Sequence, residues 1–234
     1  MELSDLKSKI RDQATSLLSS EQSSLLTPSM IKERAALQIE ETINQLNRRI
    51  AKGYSLLCTL YEKQKQTPDG SSQYVPFLEP TFFDDKTDAI ISMIDKKDEE
   101  KVIQTSLGIA DSDLSKAHDL AIDLFNDQRY EEAADAFFCL SSIAPDIPEL
   151  LMSLAHAEFH AKHLESAATC YAIAYVANPN DPQPLIYAAT CLIQLGNKDE
   201  ALVYLDKATE VINNNQEIKD MDKIVMKMKQ SVFG

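Results

Sequence analysis

Three alanines in the C-terminal half of the sequence recur at an interval of 34 residues: Ala133, Ala167 and Ala201. Four positions after each comes an aromatic residue or Leu, and eight positions later a Pro or Asn: Phe137 and Pro145, Tyr171 and Pro179, Leu205 and Asn213. This period and layout are typical of the tetratricopeptide repeat, a helical hairpin that buries its apolar face by stacking on its neighbours. Small residues recur in the same phase and let the paired helices approach closely: Ala121, Ala155 and Ala189.

The pattern predicts an all-α protein, a tetratricopeptide-repeat superhelix of three helical hairpins and a C-terminal capping helix, with an extra helical N-terminal region. We place the repeats at about 114–147, 148–181 and 182–215 in a domain of residues 87–234. The C-terminal helix, near 216–232, has apolar residues at spacings of three and four, as expected of a helix that covers the end of a repeat array. We expect the six repeat helices near 114–126, 130–142, 148–160, 164–176, 182–194 and 198–212.

The N-terminal region, residues 1–66, contains a long predicted helix that starts at Thr27 and Pro28, because Pro is favoured in the first helical turn. Apolar residues and one Gly recur along it at alternating spacings of three and four: Ala36, Ile39, Ile43, Leu46, Ile50, Gly53, Leu57 and Leu60. Such a seam is typical of a coiled coil with another chain, which includes a homodimer. The alternative is packing within the chain, on residues 2–19 or on the repeats, and Gly53 counts against the coiled coil.

A Pro- and Ser-rich linker, residues 67–86, separates this region from the repeat domain, and a short amphipathic helix is predicted near 87–105. The formal charge of −14 is concentrated in the repeats, with −3 in residues 1–110 and −11 in residues 111–234. An acidic surface repels phosphate backbones and anionic lipid, which argues against nucleic-acid binding and stable membrane insertion. The alternative is that the charge only aids solubility.

Sequence features that reveal the compartment point to the cytoplasm. The four cysteines form no C-x-x-C pair, which suits a reducing environment: Cys58, Cys139, Cys170 and Cys191. Residues 1–20 have no uninterrupted apolar run of the kind a signal peptide needs, and no stretch approaches the length of a membrane span. We therefore expect a soluble cytoplasmic protein.

The sequence offers no catalytic constellation, since it lacks a Walker A loop and the G-x-S-x-G, H-E-x-x-H and G-x-G-x-x-G motifs. We therefore predict that the protein is not an enzyme and uses no cofactor. His156 and His160 lie one helical turn apart, where two imidazoles can share a metal, and His163 follows in the next turn. We favour the alternative that these histidines belong to a groove or surface, and we predict no metal site.

The first helix of each hairpin lines the concave face of such a superhelix, and its outward positions also recur at 34 residues. They form three rows: His118, Met152 and Ile186; Ile122, His156 and Thr190; Phe125, Phe159 and Ile193. Exposed apolar rows usually mark a binding surface, so these nine residues are the candidate peptide-binding groove. The alternative is that an N-terminal segment of the same chain covers them. The rows lack the Lys and Asn that grip a C-terminal carboxylate, so an extended apolar ligand with Pro or Leu anchors fits better.

Three runs carry a resemblance to a known family: LGIADSDLSKAHDLAIDLFNDQRYEEAADAF, CYAIAYVANPNDPQPLIYAATCLIQLGNKDEAL and KATEVI. They resemble the class II chaperones of bacterial type III secretion, over about residues 106–230. The resemblance implies a bacterial cytoplasmic chaperone that binds hydrophobic secreted translocators through the concave groove and keeps them soluble and apart before export. It also implies that the translocator is held as an extended segment with Pro and Leu anchors. The alternative function is a general scaffold or adaptor for protein complexes, without a role in secretion.

The sequence departs from that family in the roughly 105 residues that precede the repeats, where members have a much shorter arm that often mediates dimerisation. The helix with the heptad seam is then an enlarged arm. Residues 75–80 read VPFLEP, and the spacing of Pro76, Leu78 and Pro80 resembles the segments that the family binds. We hypothesise that this part of the linker occupies the groove when no translocator is bound; the alternative is an ordinary Pro-rich linker.

Overall fold

The computed structural model describes residues 28–65, 74–82, 103–214 and 216–233. The prediction of an all-α repeat protein is confirmed, and the helices of the hairpins begin and end within three residues of the predicted bounds. A helical turn, Ile103–Ser106, precedes the repeats, and a 3-10 segment, Gln216–Met221, precedes the last helix. The helices are α1 (Pro28–Lys65), α2 (Asp111–Asn126), α3 (Tyr130–Ile143), α4 (Pro148–His160), α5 (Leu164–Ala177), α6 (Gln183–Gln194), α7 (Lys198–Asn214) and α8 (Asp222–Phe233).

Small side chains set the spacing of the three hairpins, α2–α3, α4–α5 and α6–α7. The alanines that recur at 34 residues are all fully buried where paired helices cross: Ala121, Ala133, Ala155, Ala167, Ala189 and Ala201. The second helix of the first two repeats ends two residues before a proline, at Ile143 and Ala177. Proline lacks the N–H of the next helical bond and disfavours helical backbone in the residue before it. The repeat pattern therefore determines both the spacing and the ends of these helices.

The turn inside each hairpin contains one residue in the left-handed backbone conformation, always at the same repeat position. Gln128, Lys162 and Gly196 have φ angles of 61°, 70° and 83°. In each turn the N–H of this residue and that of the next one donate to carbonyls in the last turn of the preceding helix. This is the Schellman arrangement, which favours Gly because a side chain makes the left-handed conformation unfavourable. Only the third repeat has Gly there.

Replacing Lys162 with Gly is therefore expected to raise the free energy of unfolding by about 0.5–1 kcal/mol, because the left-handed strain disappears while the backbone hydrogen bonds remain. The reciprocal change, Gly196→Lys, is expected to lower it by about 1 kcal/mol, and a Cβ added at Gly196 meets no atom within 4 Å. Urea denaturation of both variants measures the effect. Equal stability of Lys162→Gly and the parent chain would contradict the assignment of strain.

Helix α1 packs on the first repeat with its C-terminal half, chiefly on α3 and to a lesser extent on α2. Its residues Gly53, Leu57 and Tyr61 are buried there. Packing on the repeats, one of the two alternatives for the heptad seam, is confirmed for this half. In the N-terminal half, the seam residue Leu46 is 44% exposed, so a coiled coil or homodimer through that half stays a prediction. Residues 2–19 lie outside the described residues.

Part of the predicted linker belongs to the core of the first repeat. Residues 76–78 form a 3-10 turn in which Phe77 and Leu78 are fully buried. The backbone N–H of Val75 donates to the hydroxyl of Tyr61 (2.7 Å), and the hydroxyl of Tyr54 donates to the carbonyl of Phe77 (3.1 Å). Both tyrosines are on α1, so these bonds hold the segment against that helix. The segment thus packs in the core between α1 and α2, which contradicts the hypothesis that it occupies the groove. Most of the predicted helix near 87–105 lies outside the described residues.

Candidate peptide-binding groove

Helices α2, α4 and α6 carry the three predicted rows, and the structure shows how far each side chain is accessible. Ile122 is 37% exposed, whereas Ile186 is only 7% exposed and packs in the core of the second and third repeats. The interpretation of Ile186 as an exposed groove residue is therefore wrong, because the neighbouring helices cover it. The other seven positions are half-buried: His118, Phe125, Met152, His156, Phe159, Thr190 and Ile193.

Phe125 and Phe159, from the third row, are half-buried because they meet the aromatic residues of the first two hairpin turns. The ring of Phe125 lies 5.2 Å from that of Tyr130 and 5.3 Å from that of His160, and Phe159 lies 5.6 Å from His160. Edge-to-face pairs at these distances contribute about 0.5–1.5 kcal/mol each. The two phenylalanines therefore stabilise the repeats and offer a ligand only part of their surface.

The two groove histidines are held in different ways. His118 Nε2 lies 3.1 Å from the hydroxyl of Ser153, and His156 Nδ1 lies 2.7 Å from the carbonyl oxygen of Met152. Burial lowers the pKa of both imidazoles below the usual value of 6.5. Both rings are therefore uncharged at neutral pH, so this part of the groove suits an apolar ligand better than a charged one.

Tyr187 is a groove residue that the sequence analysis missed. It is 39% exposed, its ring stacks on that of Tyr171 at 5.3 Å, and the ring of His156 meets it at 5.1 Å. The equivalent residues of the other repeats are Asp119 and Ser153. The sequence did contain a signal for this residue, because only the third repeat has an aromatic side chain at this position. Together with His156 it forms an open aromatic surface on the concave side.

The three histidines considered for a metal site face different partners. The ring of His160 stacks on Tyr130 at 4.9 Å, whereas His163 Nδ1 lies 2.8 Å from a carboxylate oxygen of Glu158. The ring of His156 faces Tyr171 and Tyr187. Over the described ranges, no group of three His, Cys, Asp or Glu side chains is placed to hold a metal ion.

A partly buried ionic cluster, also missed by the sequence analysis, joins α1 to the first two repeats. The guanidinium of Arg49 donates to Asp135 (3.0 Å) and to Glu158 (2.5 Å), and it lies 4.5 Å from the centre of the Phe138 ring. Lys52 also binds Asp135, at 2.5 Å. The Glu158 side chain is 1% exposed, so it depends on Arg49 for compensation of its charge, and its second oxygen lies 2.8 Å from His163 Nδ1.

The thiols offer no activated nucleophile. Burial raises the pKa of Cys139 to about 12 and that of Cys170 and Cys191 to about 11, so these groups are protonated at neutral pH. Burial also raises the pKa of Cys58. Among the helices that the structure describes, none combines the length and the apolar character that crossing a membrane requires.

Comparison with known proteins rests on structure. No model of a protein family matches the chain, and no curated protein is similar to it in sequence. A chain of the CopN–Scc3 complex superposes with a TM-score of 0.55 at 18% identity, covering 75% of this chain and 99% of that one. The translocator chaperone SycD of Yersinia enterocolitica gives a TM-score of 0.51 at 24% identity, covering 56% of this chain and 98% of SycD.

PcrH of Pseudomonas aeruginosa, in complex with the chaperone-binding region of PopD, gives a TM-score of 0.50 at 18% identity over 54% of this chain and 95% of PcrH. The matches to SycD and PcrH cover about as many residues as the repeats, which occupy about half of the chain. The match to the CopN–Scc3 complex is longer and therefore extends into the region before the repeats. This chain has the fold of the type III secretion translocator chaperones, as the repeat pattern and the resemblance in sequence predict.

Proposed function

We propose that this protein is a bacterial cytoplasmic chaperone of type III secretion, which binds hydrophobic translocator proteins in its concave groove and keeps them soluble and apart before export. The likeness in fold to SycD and PcrH supports this proposal, since PcrH was solved with the chaperone-binding region of PopD. Holding an apolar segment away from water requires burial of apolar surface and no covalent step, so the proposed role is not that of an enzyme.

The observation that carries the proposal is the apolar surface that Ile122, His156 and Tyr187 form on the concave face. Ile122 and Tyr187 present exposed apolar surface, and the two groove histidines are neutral at neutral pH. Prolines and aliphatic side chains pack well on aromatic faces, and an extended segment binds at low entropic cost when it contains proline. We therefore propose an extended Pro- and Leu-containing segment as the ligand, with Pro or Leu seated on Tyr187 and His156.

Co-expression with the translocator encoded in the same genome tests this function. We expect a soluble complex of one chaperone and one translocator on size-exclusion chromatography, with the translocator insoluble when expressed alone. Replacing Ile122 and Tyr187 together with Glu is expected to weaken binding by about tenfold or more, because each charge loses its hydration when the apolar segment is bound. Both side chains are more than a third exposed, so helical content is expected to be retained, with a small decrease in melting temperature from loss of the Tyr187 ring contacts.

Val203→Glu is the matched control, because Val203 is 66% exposed on α7, the second helix of its hairpin, which does not line the concave face. It is expected to bind the translocator as the parent chain does. Undiminished binding by the Ile122 and Tyr187 double variant would exclude the groove as the site. Recovery of several soluble proteins without a translocator would favour the alternative, a general scaffold.

A further inference from the structure

The chain covers the outer face of its own first repeat with a helix. Helix α1 lies on α3, where its Arg49 binds Asp135 and its Gly53 comes so close that an added Cβ would lie 3.0 Å from Cys139 Cβ. The ring of Phe138, one residue before Cys139, lies beneath the guanidinium of Arg49. The outer face of the second helix of a repeat is thus a surface on which a helix can dock.

The repeat period identifies the same positions in the second and third repeats. Asp135 and Cys139 correspond to Thr169 and Ile173 on α5, and to Val203 and Lys207 on α7. Ile173 is 49% exposed, Val203 is 66% exposed, and Val176, one turn after Ile173, is 76% exposed. In the parts of the chain that the structure describes, no helix covers these positions as α1 covers the first repeat. We call the surface of Glu165, Thr169, Ile173, Val176, Asp199, Val203, Asp206 and Glu210 the outer face.

A cleft between α5 and α7 borders this outer face. Its volume is about 340 Å³, and its lining includes the apolar side chains of Tyr175, Pro179 and Val211. Lys207 and Glu210 form the polar edge of the cleft, paired at 2.7 Å. A side chain from a docked helix has room to enter between the two helices, as a ridge enters a groove in helix packing.

The outer face is predominantly acidic, because its one lysine at an equivalent position, Lys207, is paired with Glu210. Asp199, Asp206 and Glu210 recur at spacings of four and seven along α7 together with Val203, and Glu165 lies two turns before Ile173 on α5. Asp206 and Glu210 each bind a lysine of the chain, whereas Glu165 and Asp199 have no ion-pair partner within the described residues. On the first repeat, α1 brings basic side chains, Arg49 and Lys52, to an acidic residue of the equivalent face.

We infer that the outer face of the second and third repeats docks a basic amphipathic helix of a second protein. The apolar side of that helix packs on Ile173, Val176 and Val203, and its Lys or Arg residues bind Glu165 and Asp199. An apolar centre with a charged rim is the usual anatomy of a protein interface, and opposite charges select the partner and speed its encounter. Because this surface lies on α5 and α7 and the groove on α2, α4 and α6, the two sites accept different partners at once.

Two synthetic helical peptides of about 20 residues test the inference on the full chain. Both have the same Leu and Ala face, and they differ in having Lys or Glu on the flanking positions. Methyl-labelled NMR spectra follow the signals of Ile173, Val176 and Val203. We expect the Lys peptide to shift these signals and to bind about tenfold or more tightly than the Glu peptide. Val176→Lys is expected to weaken binding of the Lys peptide by a similar factor, with Ile224→Lys on α8, where Ile224 is 50% exposed, as the matched control.

A second variant separates charge from apolar contact. Glu165→Gln combined with Asp199→Asn is expected to remove most of the preference for the Lys peptide, because it leaves the apolar centre intact. Equal binding of the two peptides, or shifts confined to groove residues such as Ile122, would overturn the inference. Concentration-dependent self-association of the parent chain that Val176→Lys abolishes would also overturn it, since a second copy would then cover the face. None of these outcomes depends on binding of a translocator.

Discussion

Replacing Arg49 with Met is expected to lower the free energy of unfolding by about 3 kcal/mol, the lower end of the range for a broken buried ion pair. The lower end applies because the Arg49 side chain is 26% exposed. The change leaves the carboxylate of Glu158, 1% exposed, with His163 as its remaining partner, and it leaves Asp135 with Lys52 alone. An uncompensated buried charge costs more than the ion pair contributes, so the loss exceeds that of a surface pair. Urea denaturation measures it.

Two further variants establish the cause. Arg48 is exposed on the same helix, so Arg48→Met is the matched control and is expected to change stability by less than about 0.5 kcal/mol. Adding Glu158→Gln to Arg49→Met is expected to restore part of the loss, because the uncompensated charge is then removed. If the Arg49 and Arg48 variants unfold at the same urea concentration, α1 does not dock through this cluster.

Gly53→Ala is expected to destabilise the protein by about 2 kcal/mol, although Ala is the better helix former by about 1 kcal/mol. A Cβ at Gly53 would lie 2.1 Å from the carbonyl oxygen of Asp135 and 2.7 Å from its carbonyl carbon. Both are backbone atoms of α3, so α1 has to move away, which also strains the bond between Arg49 and Asp135. Urea denaturation and limited proteolysis near residues 50–60 measure the release of the helix.

Ser55→Ala serves as the control, because Ser55 is exposed two residues further along α1. Its expected effect is a small gain from helix propensity. The sign of the change in stability of Gly53→Ala distinguishes helix propensity from close packing. A more stable variant would show that helix propensity dominates and would contradict close packing of α1 on α3.

The groove shows how far sequence reasoning extends within a repeat. The period placed nine positions on three helices, and the structure leaves eight of them at least partly accessible. It buries Ile186, because the helix around it packs in the core of the second and third repeats. Accessibility depends on the size of the neighbours in the adjacent hairpin, which a single position in a row does not reveal. Tyr187 was missed for the opposite reason, since its row is polar in the other two repeats. The binding role of all these residues stays a prediction.

The sequence by itself determined the three hairpins, their bounds and the positions of the small residues between their helices. This was possible because each repeat contacts chiefly its neighbours, so a local period of 34 residues contains most of the information about packing. Only the tertiary structure decided the partner of α1, which the heptad seam left open between another chain and the repeats. Arg49 meets Asp135 and Glu158 across separations of 86 and 109 residues, and Gly53 meets the backbone of α3 rather than a side chain. Contacts so distant in sequence, made in part with backbone atoms, leave no periodic signal in the amino-acid sequence.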